Sequence, residues 1–275
     1  MEIQLWRELL EPYDQAVQEL VLKLNNARKE YILNNVYSPI ESVKGRVKSI
    51  NSILEKMKRK NVSFEDFENE IEDIAGIRII CQFSEDIPKV IKLLEKRSDI
   101  KIIEKKDYVE SPKQSGYRSF HLIVEYEVNS FRGPKTIRAE IQVRTMAMNF
   151  WATTEHDLQY KYRGNIPEHV AEKLEMAAEA INTLDGVMSS VRSEIIDAQI
   201  DSNMRKFLLR DILYNIEDMY KVSSKREAEK IQEEFYKVYK RNDIGELKRF
   251  AKHLDILAEG YHAQDAHFVN TEEYK

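Results

Sequence analysis

A regular alternation of apolar and polar residues predicts a β-strand in the middle of the chain. Within Thr136–Thr145 every second residue from position 137 to 143 is apolar, and the interleaved residues are Arg138, Glu140, Gln142 and Arg144. Side chains of a strand alternate between its two faces, so one face belongs to the core and the other holds a carboxylate between two guanidinium groups. Because half-exposed sheets ordinarily show this alternation, the strand by itself assigns no role to Glu140.

Similar patterns predict a centre in which strands and helices are mixed. Residues 120–128 also alternate, and the Gly-Pro turn signal in 129–135 joins them to the Glu140 strand as a hairpin. This mixture predicts an α/β (α+β) fold with helices packed on one face of a mixed sheet. Further strands are predicted at 76–83 and 101–109, and helices at 49–60, 86–96 and 146–162.

Two long helices are predicted to flank this centre. Apolar residues recur every three or four positions in residues 1–31 and, more strictly, in residues 170–195. Such narrow seams favour packing against another helix over packing on a broad sheet. The two helices pack either on each other or on a second copy of the chain, and we predict an oligomer. Residues 201–275 have the pattern of further amphipathic helices.

Composition narrows the class of protein. The 275 residues are 42% hydrophobic and 33% charged, with 8 Gly and 6 Pro, which suits one good core with appended helices. A net charge of −5 argues against a general nucleic-acid coat but is compatible with a local basic pocket. The single cysteine, Cys81, lies in an apolar run and is predicted to be a core residue. Neither a signal peptide nor an 18-residue apolar run is evident, so we expect a cytoplasmic protein without membrane association.

A row of cations marks the first predicted helix of the centre. On a helical wheel Lys48, Ser52, Lys56 and Arg59 fall within roughly a quarter turn, opposite an apolar stripe, and Arg46 lies just ahead of them. Cationic faces are usually solvated surface, but surfaces normally mix signs and this row contains no acid. The row suits a polyphosphate held by side chains, because the chain lacks a Walker-type glycine loop.

Two acidic residues are candidates for a magnesium site. Asp73 precedes a predicted strand, where Gly76 permits a close backbone turn and Arg78 follows. An acid in this place is ordinarily a turn residue. Combined with Glu140, however, it forms the kind of two-carboxylate set that holds Mg²⁺ together with substrate phosphates.

A glycine-containing loop ahead of the strand at 120–128 supplies further recognition groups. It brings Lys113, Tyr117 and His121 together, and Tyr117 is either ordinary loop packing or a platform for a nucleobase. The helix that follows the Glu140 strand contributes Asn149 on one face and pairs Glu155 with a tryptophan one turn away.

Five motifs, in order, resemble one protein family. They are GRVKS at 45–49, DIAGIR at 73–78, GYRSFH at 116–121, EIQVRT at 140–145 and NFWATTEH at 149–156. Together they resemble the synthetase domain of RelA/SpoT-type alarmone synthetases, and the first 200 residues or so are similar to the small, single-domain branch, the small alarmone synthetases. The resemblance implies a nucleotidyltransferase-like mixed sheet flanked by long helices. It also implies transfer of the β,γ-diphosphate of ATP to the ribose 3′-hydroxyl of GDP or GTP, giving ppGpp or pppGpp and AMP in stringent-response signalling.

The resemblance implies roles for the residues noted above. Arg46 and Arg78 would sandwich the adenine of ATP, and Tyr117 would stack on guanine. Asp73 and Glu140 would bind Mg²⁺, and Glu140 would also be the base for the 3′-hydroxyl. The phosphates of ATP would be held by Lys48, Ser52, Lys56 and Arg59. The acceptor nucleotide would be surrounded by Lys113, His121, Gln142, Arg144 and Asn149, with Glu155 completing the pocket wall.

The chain divides into four predicted segments on this basis, and short family members imply a homotetramer. The segments are an oligomerisation helix at 1–35, a catalytic domain at 36–165, a heptad helix at 166–200 and a helical extension of unknown role at 201–275.

Two features depart from the family pattern. His156 and Asp157 spell the metal motif of the hydrolase domain of long members, but they lie inside a synthetase motif without flanking ligands, so we expect synthesis without hydrolysis. Some short members bind their product between subunits through lysines of the first helix and an aromatic residue. Val21, Asn25 and Ser42 stand at those positions here, so activation by (p)ppGpp stays open.

Two alternative functions are compatible with the sequence. A toxin-type branch of the family directs pyrophosphate to adenosine nucleotides or to the tRNA 3′ end, although the intact loop at 116–119 favours a guanosine acceptor. A non-catalytic homologue that binds nucleotides or single-stranded RNA would have lost the two carboxylates, and both are present. The preference between GDP and GTP stays open.

Overall fold

The computed structural model describes residues 2–130, 133–161, 167–222 and 224–272. The strands within these residues are β1 (Ser42–Val47), β2 (Ala75–Cys81), β3 (Lys101–Asp107), β4 (Phe120–Ser130) and β5 (Gly133–Thr145). The helices are α1 (Glu2–Leu33), α2 (Ile50–Lys60), α3 (Phe67–Glu70), α4 (Asp86–Glu95), α5 (Met146–Lys161), α6 (Glu168–Val222), α7 (Lys225–Arg241) and α8 (Ile244–Glu272). Position 162, where the helix after the Glu140 strand was predicted to end, lies outside the described residues.

The five strands form one mixed sheet in the order β1-β2-β5-β4-β3. β2 and β5 are parallel, and the other neighbouring pairs are antiparallel. Parallel neighbours need a long crossover, and the chain makes it through α4, β3 and β4 before returning as β5. The mixed sheet and the hairpin of β4 and β5 confirm the predicted fold class.

One face of β5 is buried, as its alternation predicted. Ile137, Ala139, Ile141 and Val143 are all 0% exposed and belong to one cluster with apolar residues of α1, α2 and α4. Cys81 of β2 lies in the same cluster, in agreement with its predicted core position. The polar side chains of β5 therefore leave the opposite face of the strand, where the candidate site lies.

Helix α1 packs on the sheet, which differs from the helix–helix seam expected from its spacing. Val17, Leu20 and Leu24 are buried in the cluster that contains the sheet. A Cβ on Gly45 of β1 would lie 2.5 Å from Val17 Cγ1 and 2.7 Å from Val21 Cγ2, so the glycine allows a close approach of helix and strand. The expectation was wrong because apolar spacing sets the width of a buried stripe and does not specify which element covers it.

Helix α6 continues without a break through the boundary predicted at residue 200. Leu174 and Ile181 pack with a small cluster around Trp151 of α5. By contrast, Leu184 and Met188 of the same predicted seam are 51% and 45% exposed. The four-segment division and the oligomer stay predictions.

The chain separates into two compact units, one up to Ser190 and one from Val191 onward. In the second unit, the end of α6 together with α7 and α8 encloses an apolar cluster that includes Ile212, Phe235 and Leu247. None of the helices in the described ranges is long and apolar enough to span a bilayer.

Candidate active site

The strand register gathers polar residues from three strands on one face of the sheet. Glu140 of β5 lies opposite Gly76 of β2, and Gln142 lies opposite both Arg78 of β2 and His121 of β4. Directly opposed residues of neighbouring strands project to the same face. Residues that are up to 66 positions apart in sequence, such as Gly76 and Gln142, therefore meet at one place.

A cavity of about 240 Å³ opens on this face. Its wall combines guanidinium groups, two carboxylates and a side-chain amide, which suits a ligand that carries phosphates. The predicted site residues in the wall are Arg46, Asp73, Arg78, Glu140 and Gln142.

Asp73 is held by two lysines of the predicted cationic row. Lys48 Nζ donates to Asp73 Oδ2 and Lys56 Nζ donates to Asp73 Oδ1, both at 2.8 Å. Burial alone would raise the pKa of Asp73, but the hydrogen bonds and charges of the two lysines outweigh it and lower the pKa. The carboxylate is therefore ionised at neutral pH and stands between two candidate phosphate ligands.

Helix α2 orients this row. Ser49 is its N-cap, and the Ser49 Oγ accepts a hydrogen bond from the backbone N–H of Ser52 at 3.3 Å. Ile53 on the opposite side of the helix is fully buried, whereas the neighbouring Leu54 is 45% exposed. Arg59 lies exposed in the last turn and is not part of the cavity wall.

Arg46 and Arg78 lie close enough to repel each other. The pKa of Arg78 is lowered by burial and by the positive charge of Arg46. Arg78 Nε is buried and, within the described part of the chain, has no hydrogen-bond partner. Two neighbouring guanidinium groups of like charge suit an electron-rich or anionic guest between or beside them.

Glu140 receives one hydrogen bond on each carboxylate oxygen. His121 Nδ1 lies 2.9 Å from Oε1, and Gln142 Nε2 donates to Oε2 at 2.8 Å. Burial and the nearby charge of Asp73 raise the pKa of Glu140, but the interactions with His121 and the hydrogen bond from Gln142 together outweigh them and lower it. The side chain is therefore an ionised carboxylate in a largely buried place.

Tyr117 and Arg144 extend this network away from the cavity. Tyr117 Oη lies 2.8 Å from His121 Nε2, and Arg144 Nη2 donates to Tyr117 Oη at 3.2 Å. Arg144 Nη2 also donates to Gln142 Oε1. Five side chains thus form a closed hydrogen-bonded ring that includes both Glu140 and the aromatic residue predicted to stack on guanine.

The remaining predicted acceptor residues surround Tyr117 or lie on α5. Lys113 Nζ stands 4.9 Å from the centre of the Tyr117 ring. Burial raises the pKa of Glu155, and the charges of His156 and Lys113 oppose that rise. Glu155 does not line the cavity. Asn149 Oδ1 is buried and lacks a hydrogen-bond partner among the described residues.

Two residues near the site were not singled out from the sequence. Lys44 lines the cavity. The sequence feature that could have identified it is its i, i+2 spacing to Arg46 on β1, because such residues share one face of a strand. Tyr108 packs edge-on against His121 with ring centres 5.1 Å apart and lies beneath Lys113 Nζ at 4.7 Å. Tyr108 carries no local signal, because only the pairing of β3 with β4 brings it there.

Asp73 and Glu140 fit a magnesium ion by the chemistry of their donors. Both are ionised carboxylates in the wall of one cavity, and Mg²⁺ prefers oxygen ligands supplied by one or two acids together with substrate phosphates. Within the described ranges, no cluster of three or more His, Cys, Asp or Glu residues is placed to hold a metal ion. His156 and Asp157 are exposed, with 3.8 Å between His156 Nδ1 and Asp157 Oδ1.

Comparison with known proteins adds independent information about this site. The family model described as the region found in RelA/SpoT proteins matches residues 45–165, which include every predicted site residue. The chain is 47% identical over 206 residues to the GTP pyrophosphokinase YjbM of Bacillus subtilis, covering 75% of this chain and 97% of that protein. It is 40% identical over 192 residues to the GTP pyrophosphokinase YwaC of the same organism, covering 69% of this chain and 91% of that protein.

Solved structures show the same relationship. The chain is similar to small alarmone synthetase 1 of Bacillus subtilis bound to its product pppGpp, with a TM-score of 0.68, 48% identity, and coverage of 70% of this chain and 98% of that one. A GTP pyrophosphokinase family protein from Streptococcus pneumoniae matches with the same TM-score and 49% identity, covering 70% of this chain and 96% of that one.

Proposed function

The chain belongs to the RelA/SpoT family, and on that premise we propose that it is a (p)ppGpp synthetase. In the proposed reaction the β,γ-diphosphate of ATP passes to the 3′-hydroxyl of GDP or GTP, and AMP is released. Relatives at 47% and 40% identity are named GTP pyrophosphokinases, which supports this enzyme class. We propose a role in stringent-response signalling on the same ground.

The donor side of the proposed site is the wall formed by β1, β2 and α2. Arg46 and Arg78 repel each other and would both gain from an adenine ring, which offers π faces to planar guanidinium groups. Lys48 and Lys56 would bind the ATP phosphates and leave Asp73 as they do so. Both ammonium groups are hydrogen-bonded to Asp73, which lines the cavity, and this supports the assignment.

Asp73 and Glu140 are the proposed ligands of Mg²⁺. A bound Mg²⁺ would supply charge neutralisation for the triphosphate. Asp73 and Glu140 would contribute the two carboxylates. Lys48 and Lys56 would exchange their bonds to Asp73 for bonds to phosphate oxygens. Ser52 and Arg59 extend the same row and are proposed as further phosphate ligands.

Glu140 is the proposed base for the ribose 3′-hydroxyl. In the transfer, the 3′-oxygen forms a bond to the β-phosphorus, the bond from that phosphorus to the α–β bridging oxygen breaks, and the hydroxyl proton passes to Glu140. Because the pKa of Glu140 is lowered, the carboxylate is a weak base that orients the hydroxyl and accepts its proton late in the transfer. Positioning and charge neutralisation are the main contributions of such a site.

The acceptor side is proposed around Tyr117, whose ring would stack on guanine. Lys113 lies over this ring. Asn149 Oδ1, which has no hydrogen-bond partner among the described residues, is an acceptor that suits the N–H groups of a base. Glu155 is proposed as part of the outer wall.

One observation carries the proposal: two ionised carboxylates share a cavity with two mutually repelling arginines, and one carboxylate is hydrogen-bonded through His121 to Tyr117. The test is thin-layer chromatography of labelled ATP incubated separately with GDP, GTP, AMP and deacylated tRNA. We expect labelled ppGpp and pppGpp from the guanosine nucleotides, loss of product on chelation and recovery with Mg²⁺. Label transferred to AMP or tRNA supports the toxin-type reaction instead, and no transfer at all refutes an enzymatic role.

A further inference from the structure

We propose that His121, Gln142 and Arg144 are positioning residues that hold the Glu140 carboxylate through two hydrogen-bonded paths, and that one path runs through the hydroxyl of Tyr117. This inference rests on the proposed role of Glu140 and adds a function for residues that would otherwise be assigned to direct contact with the acceptor nucleotide. It predicts that the ring of Tyr117 and its hydroxyl contribute to different steps.

The direction of each hydrogen bond in the first path follows from its charged end. A guanidinium group only donates, so Arg144 Nη2 donates to Tyr117 Oη at 3.2 Å. We assign the phenolic proton to the contact with His121 Nε2 at 2.8 Å, with Nε2 as the acceptor. In a neutral imidazole the remaining proton is on Nδ1, and this N–H donates to Glu140 Oε1 at 2.9 Å.

The second path is shorter and has the same direction. Arg144 Nη2 donates to Gln142 Oε1, and Gln142 Nε2 donates to Glu140 Oε2 at 2.8 Å. Arg144 thus begins both paths and Glu140 ends both. Hydrogen bonds that run in one sense from a cation to an anion polarise each other and strengthen the chain.

The hydrogen-bonded ring of five side chains leaves part of the Glu140 carboxylate available to bind ligands. A carboxylate accepts about four hydrogen bonds or metal bonds through its lone pairs. His121 and Gln142 occupy one site on each oxygen, so each oxygen retains a site for a metal ion or a ribose hydroxyl. Because both oxygens are held from the protein side, the carboxylate cannot rotate without breaking a bond.

Burial separates His121 and Arg144 from the surface that a nucleotide would contact, whereas Gln142 also lines the cavity. His121 is 6% exposed and Arg144 is 2% exposed, whereas Tyr117 is only half-buried. Arg144 Nε is also buried, without a partner in the described part of the chain, so this guanidinium is fixed by the two bonds of Nη2. His121 and Arg144 therefore act on the reaction through Glu140 and Tyr117.

The Tyr117→Phe variant separates the two contributions of this residue. It retains the ring for stacking and removes only the hydroxyl that links Arg144 to His121. We expect kcat to fall about fivefold to tenfold, the size of one lost hydrogen bond, while the KM for the guanosine nucleotide stays close to the wild-type value. A raised KM with unchanged kcat would overturn the proposal.

A pair of His121 variants tests the bond to Glu140. In His121→Ala the Nδ1 donor is lost, and kcat should fall roughly tenfold to a hundredfold, the cost of one hydrogen bond to a charged group. His121→Asn restores an amide donor near the Nδ1 position and should recover part of the loss. The exposed His253 supplies the matched control, since His253→Asn should leave kcat unchanged.

Nitrogen-15 NMR of the imidazole rings tests the network without any turnover. We expect His121 to show a protonated Nδ1 and an unprotonated Nε2, and we expect this pattern to change in Glu140→Gln and in Tyr117→Phe. The His253 signals should not respond to either substitution. If the wild-type protein makes no (p)ppGpp but His121 shows this tautomer, the proposed function fails and the network stands; the opposite tautomer refutes the network whatever the activity.

Discussion

Glu140 retains its charge in a place where burial alone would favour the protonated form. The hydrogen bonds from His121 and Gln142 reverse that tendency and lower its pKa. Charge at this position is therefore a property of three side chains acting together. This makes the carboxylate at position 140 the most informative single target for mutation.

The Glu140→Gln variant should lose transfer while it retains ATP binding, because the substitution removes the charge and preserves the shape. We expect kcat to fall by about 10³-fold, in the range of a lost general base. Initial-rate assays and calorimetric titration with ATP would measure the two effects. The exposed Glu127 on the neighbouring strand supplies the control variant Glu127→Gln. Turnover close to wild type in Glu140→Gln would refute the assigned role.

Asp73 competes with phosphates for Lys48 and Lys56, since both lysines are bound to its carboxylate in the free protein. In Asp73→Asn the two lysines no longer have to break their bonds to a carboxylate when they bind ATP. Metal-free ATP should therefore bind roughly threefold to tenfold more tightly, the scale of one partly exposed ion pair, while Mg²⁺ should no longer improve binding. Calorimetry with EDTA and with Mg²⁺ measures both effects.

Asp99 offers a matched control for this prediction. Its carboxylate is also held by two cations, Arg97 and Lys23. Burial raises the pKa of Asp99, but the hydrogen bonds and charges of these two partners lower it to about 2. Asp99→Asn should change neither kind of ATP binding. Weaker metal-free binding in Asp73→Asn would show that the carboxylate assists the lysines and does not compete for them.

The loop before β4 packs closely against α6 because Gly116 has no side chain. Gly116 has φ +81°, and a Cβ there would lie 2.5 Å from Ala178 Cβ. Such a distance is well inside van der Waals contact, so either the loop or the helix would have to move. The position of Tyr117, the next residue, depends on this contact.

Gly116→Ala should therefore destabilise the protein by about 2–4 kcal/mol, the sum of left-handed backbone strain and overpacking. Gly133→Ala is the matched control, because Gly133 also has a positive φ, +103°, but no atom of the described residues lies within 4 Å of the Cβ position. It should cost only the backbone part, about 1–2 kcal/mol. Urea unfolding measures both values, and equal losses would show that the contact with Ala178 is not restrictive.

Helix α6 has a stripe of apolar side chains that are exposed in the described structure. Leu184, Met188, Val191 and Ile195 are between 41% and 53% exposed and recur every three or four residues. An exposed stripe of this kind on a long helix is typical of an interface between chains. We propose that a second copy of the chain covers it in a homo-oligomer.

A double variant, Leu184→Asp with Val191→Asp, should dissociate the proposed oligomer, because charges in the centre of an apolar interface would be desolvated on association. Light scattering coupled to size-exclusion chromatography should show a fall from about four chain masses toward one. Met176→Asp is the control, since Met176 is 72% exposed on α6 but lies off the stripe. A wild-type protein that elutes as a monomer would refute the oligomer directly.

Local patterns of the amino-acid sequence were enough to predict most of the periodic elements and the residue types of the site. The alternation around Glu140 predicted β5, its buried face and the hairpin with β4, because side-chain direction in a strand follows from local geometry. The cationic row on α2 and the two acids were recognisable because phosphate and magnesium binding need those residue types. The five motifs predicted the family that the comparisons support.

The packing partner of each element and the pairing of the site residues became known from the folded chain alone. The apolar spacing of α1 did not reveal that Val17, Leu20 and Leu24 pack on the sheet, because a buried stripe does not specify its partner. The pairing of Asp73 with Lys48 and Lys56, and the ring from Arg144 to Glu140, join residues from separate elements whose contacts depend on sheet register. Register and packing are long-range properties, so local sequence can supply the groups of this site but only the folded chain arranges them.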